Sequence, residues 1–363
     1  MSNISNSLQQ LALQKFKKNF WGVFSFWFIV FVGIISVFAY VFAPDNSQNA
    51  NQMHLAIHSK KPGFKVNILT VPSDIKSEQG FFNRVFFGKE NTETEIPVLD
   101  YEIKGNIINY TEYTSDGLEG LKKTITIDDK TVSPKAYITE KTFLLGTDKY
   151  GRDLLSRVLV GARISFFIGF VAVFISLVIG VFMGSVAGYF GGKIDALIMW
   201  VINVTWSIPT LLLVIAITLA LGKGFWQVFI AVGLTMWVEV ARVVRGQIIS
   251  AKEMQYVTAA RALGFNNYRI ITKHILPNIM APVIVICAAN FAAAILIESG
   301  LSFLGIGAQP PMASWGAMIK DHYNYIILGK PYLAIIPGLC IMTLVMAFML
   351  IGNALRDALD VKS

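Results

Sequence analysis

The chain has 363 residues, of which 54% are hydrophobic and only 15% are charged, and its mean hydropathy is +0.57. Soluble domains usually carry about 25% charged residues, so this composition excludes a wholly soluble protein, a disordered chain and a disulfide scaffold. The formal net charge of +8 would suit a nucleic-acid partner, but the basic residues cluster as they do in membrane proteins. The composition therefore predicts a polytopic membrane protein without a nucleic-acid partner.

Six segments contain the roughly 20 mostly apolar residues that a membrane-spanning helix requires. The first follows a lysine-rich prefix and is too long for a cleaved signal peptide, so we predict that it is retained. Pro209 predicts a kink in the third segment. The predicted spans are 20–43, 164–189, 196–221, 225–241, 279–306 and 332–355.

The basic residues of the loops predict the orientation of the chain. The loop 242–278 contains six Lys or Arg residues against Glu253 alone, a net charge of +5, which favours the cytoplasm. Counting back through four helices places the N-terminus in the cytoplasm, in agreement with the lysines before the first span. Six crossings then place the C-terminus inside and residues 44–163 outside.

Residues 44–140 differ in composition from the rest of the chain. They hold 11 basic and 14 acidic residues among 97, about 26% charged, which predicts a soluble insertion on the outer face. Alternating apolar and polar residues, separated by turn signals, predict that this insertion is rich in β-strands. The predicted strands are 65–71, 102–110 and 123–127, and the predicted turns are Gly105, Asp116-Gly117 and Asp128-Asp129.

Two histidines of the insertion, His54 and His58, are four residues apart and could share a metal ion on a helix. No third ligand accompanies them, so we interpret both as solvated surface histidines and predict no metal site.

A short helix is predicted between Glu253 and Gly264, inside the basic loop. Apolar residues recur there at helical spacing and define one face, and two alanines keep the helix thin enough for a close approach by another surface. The residues of the apolar face are Tyr256, Val257, Ala260 and Leu263.

The residues after this helix predict a sharp turn and a second helix. Gly264 stands where a helix commonly ends in left-handed geometry, and Asn266 can cap the next helix. Pro277 predicts that the second helix stops near Leu276. The alternative interpretation is a basic loop that only sets the topology.

This loop resembles the EAA loop of binding-protein-dependent ABC importer permeases. The family pattern is Glu-Ala-Ala, three residues, Gly, nine residues, Ile, one residue and Leu-Pro. The chain keeps the spacing at 258–260, Gly264 and 276–277, but has Thr258 in place of Glu and His274 in place of Ile. These departures look like the peptide-transport branch of the family.

Other stretches resemble the C-type subunits of dipeptide and oligopeptide permeases. The resemblance covers residues 143–360 nearly continuously, together with the first helix and its basic prefix, but it does not cover the long insertion. The stretches that carry it are Leu145–Asp153 with 156–163, Glu298–Gly305 with 309–311 and 314–316, and Leu355–Asp360.

The resemblance implies an all-α polytopic membrane protein with six transmembrane helices and a type I ABC importer-like permease fold, here with a β-rich extracytoplasmic insertion. It implies three regions: 1–43 as the N-terminus and first helix, 44–140 as the insertion, and 141–363 as the permease core. The chain would be a transport subunit and not an enzyme, moving dipeptides or oligopeptides across the bacterial plasma membrane.

The resemblance also implies the partners of the chain. These are a homologous B-type permease, two ATP-binding cassette ATPase subunits, an extracytoplasmic solute-binding protein, the peptide and the lipid bilayer. ATP and Mg would be bound by the ATPases, with no cofactor on this chain. ATP binding would move the helix at 253–264 as a rigid body and switch the spans between two arrangements.

The resemblance assigns residues to two sites, an ATPase-coupling loop and an outer-face motif. In the first, two alanines and a glycine would approach an ATPase groove closely. The coupling residues are Glu253, Tyr256, Ala259, Ala260, Arg261, Gly264, Leu276 and Pro277, and the motif residues are Gly146, Thr147, Asp148, Gly151, Arg152 and Asp153.

The outer-face motif also has a physical interpretation. Thr147 or Asp148 can cap a helix that starts near 154. Arg152, Arg157 and Arg163 would then lie at the outer interface, where their long stems reach the headgroups. The alternative is that these arginines contact a solute-binding protein.

Polar residues within the spans are candidates for the transport pathway. The candidates are Asn203, Asn290 and Glu298. Two alternatives stay open: Glu298 and Glu239 lie near helix ends and can pair with Arg242 or a neighbouring subunit, and the asparagines can bond between helices.

The sequence lacks the motifs that several other classes of protein require. There is no phosphate-binding Gly-x4-Gly-Lys-Ser/Thr loop, zinc-protease motif or nucleophile elbow, so we predict no covalent chemistry. A secondary transporter would need a midplane ionisable site and usually repeats, and a membrane-anchored sensor would need a cytoplasmic effector. Within the family, nickel complexes, glutathione and other small solutes remain alternative substrates.

Overall fold

The computed structural model describes residues 8–71, 79–114, 120–127, 133–222 and 224–359. The turns predicted at Asp116-Gly117 and Asp128-Asp129, and Asp360 of the C-terminal stretch, lie outside them. The described helices are α1 (Leu8–Lys18), α2 (Phe20–Val37), α3 (Ala39–Phe42), α4 (Phe81–Phe87), α5 (Leu154–Phe190), α6 (Gly192–Ser207), α7 (Thr210–Leu221), α8 (Phe225–Ala251), α9 (Gln255–Ala262), α10 (Asn267–Arg269), α11 (Leu276–Phe303), α12 (Trp315–His322) and α13 (Tyr332–Leu359).

Five described helical segments are long and apolar enough to cross a membrane: α2, α5, α8, the run from Asn267 to Phe303, and α13. A sixth crossing exists if α6 and α7, which meet at a 95° bend, form one span. Pro209 lies at this break because proline lacks a backbone N–H and disfavours helical geometry in the residue before it. The kink predicted there is therefore a sharp bend.

Several helices extend beyond their predicted ends. α5 starts at Leu154, not near 164, and its 37 residues measure roughly 55 Å, well beyond the bilayer core of about 30 Å. α8 continues to Ala251, past the predicted end at 241. Val244 and Ile248 remain buried in this extension. Because the buried apolar stripe runs on at helical spacing, the helix continues into the basic loop.

The insertion forms a five-stranded antiparallel sheet in the order β4-β3-β2-β1-β5. The predicted strand 102–110 is in fact a hairpin, since Gly105, with φ of +63°, turns the chain between two paired strands. The prediction of a β-rich insertion is confirmed. The strands are β1 (Phe64–Val71), β2 (Thr94–Lys104), β3 (Ile107–Glu112), β4 (Lys122–Thr126) and β5 (Ile138–Phe143).

The chain divides into two compact units, each with its own core. The helical unit comprises Met1–Gly33, Ser165–Gln309 and Leu339–Ser363, and the strand unit comprises Ile34–Ile164 and Pro310–Gly338. In the strand unit, apolar residues cover both faces of the sheet; the fully buried ones include Ile68, Leu69, Val98, Ile108 and Phe143.

Three glycines of α5 determine how the helical unit packs. Gly180, Gly184 and Gly188 recur every fourth residue and face α8. A Cβ atom at Gly184 would lie 2.5 Å from the carbonyl oxygen of Ala241. α5 and α8 therefore approach at a distance that only glycine permits, as small residues often allow in membranes.

Candidate functional site

The predicted short helix of the basic loop exists as α9, and its ends follow from local sequence. Gly264 adopts a φ of +76°, and the amide of Phe265 donates to the carbonyl of Ala260 at 3.2 Å, which closes the helix end. The Asn266 side chain accepts a hydrogen bond from the amide of Arg269 at 2.8 Å. The left-handed glycine and the asparagine cap are thus both confirmed.

The second helix does not stop near Leu276, so that prediction is wrong. After α10, residues Ile270–Ile275 form a π-helical turn that leads directly into α11. The wider turn accommodates Pro277, because a change of hydrogen-bond register avoids both the missing N–H and the ring clash. The side-chain amide of Asn278 donates to the carbonyl of His274 at 2.7 Å. α9 is therefore attached to a long helix through one continuous backbone.

One face of α9 is anchored in the helical unit. Val257 and Ala260 are buried and pack in an apolar cluster with Ile248 of α8 and with Ile270 and Ile275 of the π-helical turn. This placement corrects the expectation that Ala260 approaches a partner directly, since its side chain is only 3% exposed. The predicted apolar face is divided between the two sides of the helix.

The other face of α9 is exposed. The side chain of Leu263 is 72% exposed and that of Tyr256 is 39% exposed, although both were predicted to share a face with Ala260. An exposed apolar surface beside basic side chains is typical of a protein contact. The other predicted coupling residues that are exposed are Glu253, Ala259, Arg261, Gly264 and Pro277, whereas Leu276 is half-buried.

Polar contacts hold α9 and α10 to α5. The hydroxyl of Tyr189 donates to Oδ1 of Asn267 at 2.9 Å, and the Arg261 guanidinium lies 5.6 Å from the centre of the Tyr189 ring. Sequence reasoning missed these contacts. It also missed the ion pair in which Nη2 of Arg245 donates to Oδ2 of Asp195 at 2.6 Å. No spacing signal identifies partners that lie 50 residues apart.

The outer-face motif folds as a tight loop in the strand unit. Gly146 and Gly151 both have positive φ, and a Cβ atom at either would overlap a backbone carbonyl, that of Lys60 or that of His54. Thr147 accepts a hydrogen bond from the amide of Lys60 at 2.9 Å. The motif thus packs against the backbone of the segment after the first span.

A buried ion cluster forms the centre of this loop. Asp148 is fully buried, and its Oδ2 atom lies 2.6 Å from the guanidinium of Arg152 and 3.7 Å from Nε of Arg157. Both arginines are only 3% exposed, so the prediction that they reach toward headgroups is wrong. Their burial is tolerated because the Asp148 carboxylate pairs with both guanidinium groups and several carbonyl oxygens accept hydrogen bonds from them. Arg163 is partly buried and donates to the carbonyl of Phe86.

Asp153 is the residue that caps α5. Its carboxylate accepts from the amide of Ser156 at 2.9 Å, whereas Thr147 and Asp148 were predicted for this role. Asp153 immediately precedes the helix, so its position satisfies the geometry of a cap. Burial raises the pKa of Asp153, and its hydrogen bonds with Ser156 oppose that shift.

Of the two histidines of the insertion, only His58 is exposed. His54 is buried, and its Nε2 atom lies 2.9 Å from Oε2 of Glu95, so its interpretation as a solvated residue is wrong. Lys141 lies 3.2 Å from the same carboxylate oxygen. Burial alone would raise the pKa of Glu95, but these two partners lower it from 4.5 to about 2. No cluster of potential metal ligands occurs among the residues that the structure describes.

The pathway candidates do not form one site. Glu298 is buried and accepts from the Ser302 hydroxyl at 2.6 Å, and Asn290 is buried two turns away on the same helix. Asn203 is exposed on α6 and accepts from Arg242 at 2.8 Å. The alternative prediction was that Arg242 pairs with Glu239 or Glu298. Among the described residues, the Arg242 guanidinium instead donates to Asn203 and stacks 3.6 Å from the centre of the Trp206 ring.

Comparisons with known proteins show which proteins this chain is similar to. The chain matches the N-terminal transmembrane domain of oligopeptide transport permease C over residues 7–62. It is 44% identical over 217 residues to the dipeptide transport system permease protein DppC of Bacillus subtilis, covering 60% of this chain and 68% of the relative. It is 40% identical over 218 residues to the glutathione transport system permease protein GsiD of Pectobacterium atrosepticum, covering 60% and 72%.

Among solved structures, the chain is similar to one from the MetNI methionine ABC transporter in inward-facing conformations. That similarity covers 56% of this chain and 96% of the other, at 19% identity and a TM-score of 0.44. The family model described as binding-protein-dependent transport system inner membrane component matches residues 162–362, more than half of the chain. The protein therefore belongs to the family of binding-protein-dependent transport system inner membrane components.

Proposed function

We propose that this chain is the C-type permease subunit of an ABC importer that moves dipeptides and oligopeptides. Its relatives include the dipeptide permease DppC and the oligopeptide permease OppC of Bacillus subtilis, at 44% and 40% identity. The match to the N-terminal domain of oligopeptide permease C supports the C-type assignment. Hydrolysis of ATP belongs to separate subunits, which hold ATP and Mg.

The proposed assembly contains this chain, a homologous B-type permease, two ATPase subunits and an external solute-binding protein. The +5 charge of residues 242–278 supports a cytoplasmic position for that region. Residues 1–43 then comprise the N-terminus and first span, 44–140 an extracytoplasmic insertion, and 141–363 the permease core. The outer-face motif, whose six residues are buried, then stabilises the extracytoplasmic part of the chain from within.

The observation that carries the proposal is the two-sided character of α9. Val257 and Ala260 fix one side in the apolar core, while Tyr256 and Leu263 leave an apolar surface on the other. A helix that is firmly attached on one side and exposed on the other can transmit a push from an ATPase as a rigid body. The spans then change between two discrete arrangements.

Substitution of Leu263 by Asp tests this role. A carboxylate on the contact surface would be buried without an assured partner at a cost of about 1–3 kcal/mol, so the ATPase subunits should dissociate and uptake should fall. Since this side chain is exposed, the permease itself should reach the membrane in normal amount. Co-purification of the ATPases and peptide uptake into vesicles measure the two effects.

The control is Leu99→Asp, which changes a 60% exposed leucine on β2. This variant should keep its ATPases and its uptake. Normal ATPase retention and uptake in Leu263→Asp would contradict the proposed coupling surface. Loss in both variants would indicate a general fault of assembly.

A second candidate substrate is glutathione, because the glutathione permease GsiD is as similar to this chain as the oligopeptide permease OppC is. Competition distinguishes the two. An excess of a dipeptide should abolish uptake of a labelled dipeptide, whereas an excess of glutathione should leave it nearly unchanged. The reverse order of potency would favour glutathione.

A further inference from the structure

One face of α8 is polar along the second half of the helix. Glu239, Gly246, Gln247 and Ser250 are exposed and Arg242 is half-buried. Residues 239, 242, 246 and 250 recur three or four positions apart, and Gln247 directly follows Gly246. A helix face with this composition contacts water or protein and not acyl chains. The opposite face of α8, described above, is the one that packs against α5.

A cavity of about 840 Å³ opens on this polar face, within the helical unit. Arg242 and Gln247 contribute from α8, Arg356 contributes from α13, and Pro282 and Val285 of α11 form an apolar wall. The described residues that line it include two arginines and no acid. Two positive charges that share one cavity repel each other, so the cavity favours an anionic occupant.

The guanidinium of Arg242 is held in place before any ligand arrives. One Nη atom donates to Asn203, and the plane stacks on Trp206 at 3.6 Å. An arginine has five N–H donors, so this arrangement leaves others for a ligand. A stacked arginine with unused donors is suited to bind a planar carboxylate.

We propose that this cavity binds the C-terminal carboxylate of a peptide in transit, an inference that rests on the proposed peptide transport. Every linear peptide with a free C-terminus has this group whatever its sequence, so a site built on it accepts varied peptides. The cavity volume lies within the usual range for small-molecule sites, about 300–1,000 Å³, and the wall of Pro282 and Val285 receives apolar side chains. Glu239 is exposed one turn before Arg242 on the same polar face, outside the lining of the cavity.

Direct binding to the purified transporter complex, without its solute-binding protein, tests the site. The probes are radiolabelled alanyl-phenylalanine and its C-terminal amide. We expect the complex to bind the free acid about ten-fold more tightly than the amide, the effect of one charge-assisted pair. Arg242→Gln and Arg356→Gln should each abolish this preference by weakening only the acid, and Arg356→Lys should keep part of it.

Arg269→Gln is the matched control, since Arg269 is an exposed arginine of the same unit outside the cavity. It should leave the preference unchanged. Equal binding of acid and amide by the unmodified complex, or a preference that survives both Gln substitutions, would overturn the proposal. Equal weakening of acid and amide binding in the Gln variants would also overturn it, because that result would indicate a structural role for the arginines. An acid preference seen only in vesicles with anionic lipid would overturn it too, because it would indicate a site for a lipid headgroup. Failure of the proposed function is a separate result: no peptide uptake by the complete, unmodified system.

Discussion

A cluster of buried charges around Asp148 connects two segments of the strand unit that are distant in sequence. Around Asp148, Arg152 also donates to the side chain of Asn51 at 3.0 Å, and Arg157 donates to the carbonyl of Asn49 at 3.3 Å. These bonds join the outer-face motif to a segment about 100 residues earlier in the chain. Removing Asp148 would leave two buried cations without their anion, which is strongly destabilising.

Glu95 should make the stability of the insertion sensitive to acid. Its pKa in the folded chain, about 2, lies below the ordinary value of 4.5. The stabilisation from His54 and Lys141 is therefore complete above pH 4.5 and disappears as the pH falls to about 2. In Glu95→Gln, the sheet should be less stable at pH 7, and its acid dependence over this range should be flatter.

Hydrogen exchange of β1 and β2 in increasing urea, at several pH values, measures this stability. Glu102→Gln is the control, because Glu102 is an acid of the same strand that is 68% exposed and pairs only at the surface. It should behave as the unmodified chain does. An identical acid dependence in Glu95→Gln would refute the assignment.

Residue types predicted local geometry better than they predicted burial. Gly264 and Asn266 act through backbone conformation within a few residues, so their roles were readable from the sequence. Arg152 and His54 lie in the core because of partners far along the chain: Arg152 donates to the side chain of Asn51, and His54 contacts Glu95 of β2. Nothing near either residue indicates such partners.

At the scale of elements, the close contact between α5 and α8 gives the helical unit its central pair of helices. A glycine in a helix usually costs about 1 kcal/mol relative to alanine, and here three of them, at every fourth position, leave the space that α8 occupies. Gly184→Ala should destabilise the permease by about 1–3 kcal/mol, since the added methyl group meets a backbone carbonyl that cannot move independently.

Gly300→Ala in α11 provides the matched comparison, because nothing lies within 4 Å of its added Cβ atom. This variant should be neutral or slightly stabilising. Thermal unfolding of the detergent-purified transporter compares the two. Equal melting temperatures for both variants would show that α5 and α8 can separate without cost.

Element predictions succeeded where periodicity carried them and failed where a special turn intervened. Long apolar runs predicted the spans, and alternation predicted the sheet of the insertion. The pattern at 102–110 continues through a two-residue turn, so it read as one strand although Gly105 marked the break. Pro277 normally ends a helix, but the π-helical turn before it removes the conflict. α9 was predicted correctly as an element, while its buried side was not.

At the scale of the whole molecule, the orientation in the membrane is the main prediction. The basic loop predicts that Arg261 is cytoplasmic and that the insertion, including Lys104, is external. With Cys287 and Cys340 replaced by serine, a cysteine at 104 should react with an impermeant maleimide in intact cells. A cysteine at 261 should react only after the membrane is opened. The opposite pattern would invert the topology.

The resemblance of residues 143–360 to peptide permeases predicted the family that the comparisons confirm, because its motifs are spread over several helices. Composition alone identified the membrane class. The fold of the insertion beyond its strand content was not predictable, since the resemblance does not extend to it. The number of crossings depends on the bend at Pro209, a geometry that hydropathy does not encode.

The π-helical turn at Ile270–Ile275 has a consequence for the direction in which α9 points. An α-helix rotates by roughly 100° per residue, and a π-turn accommodates an additional residue without breaking the rod. That residue acts as an angular offset between α9 and α11. A chain one residue shorter would still form a continuous helix, but α9 would point in a direction rotated by roughly 100° about the axis of α11.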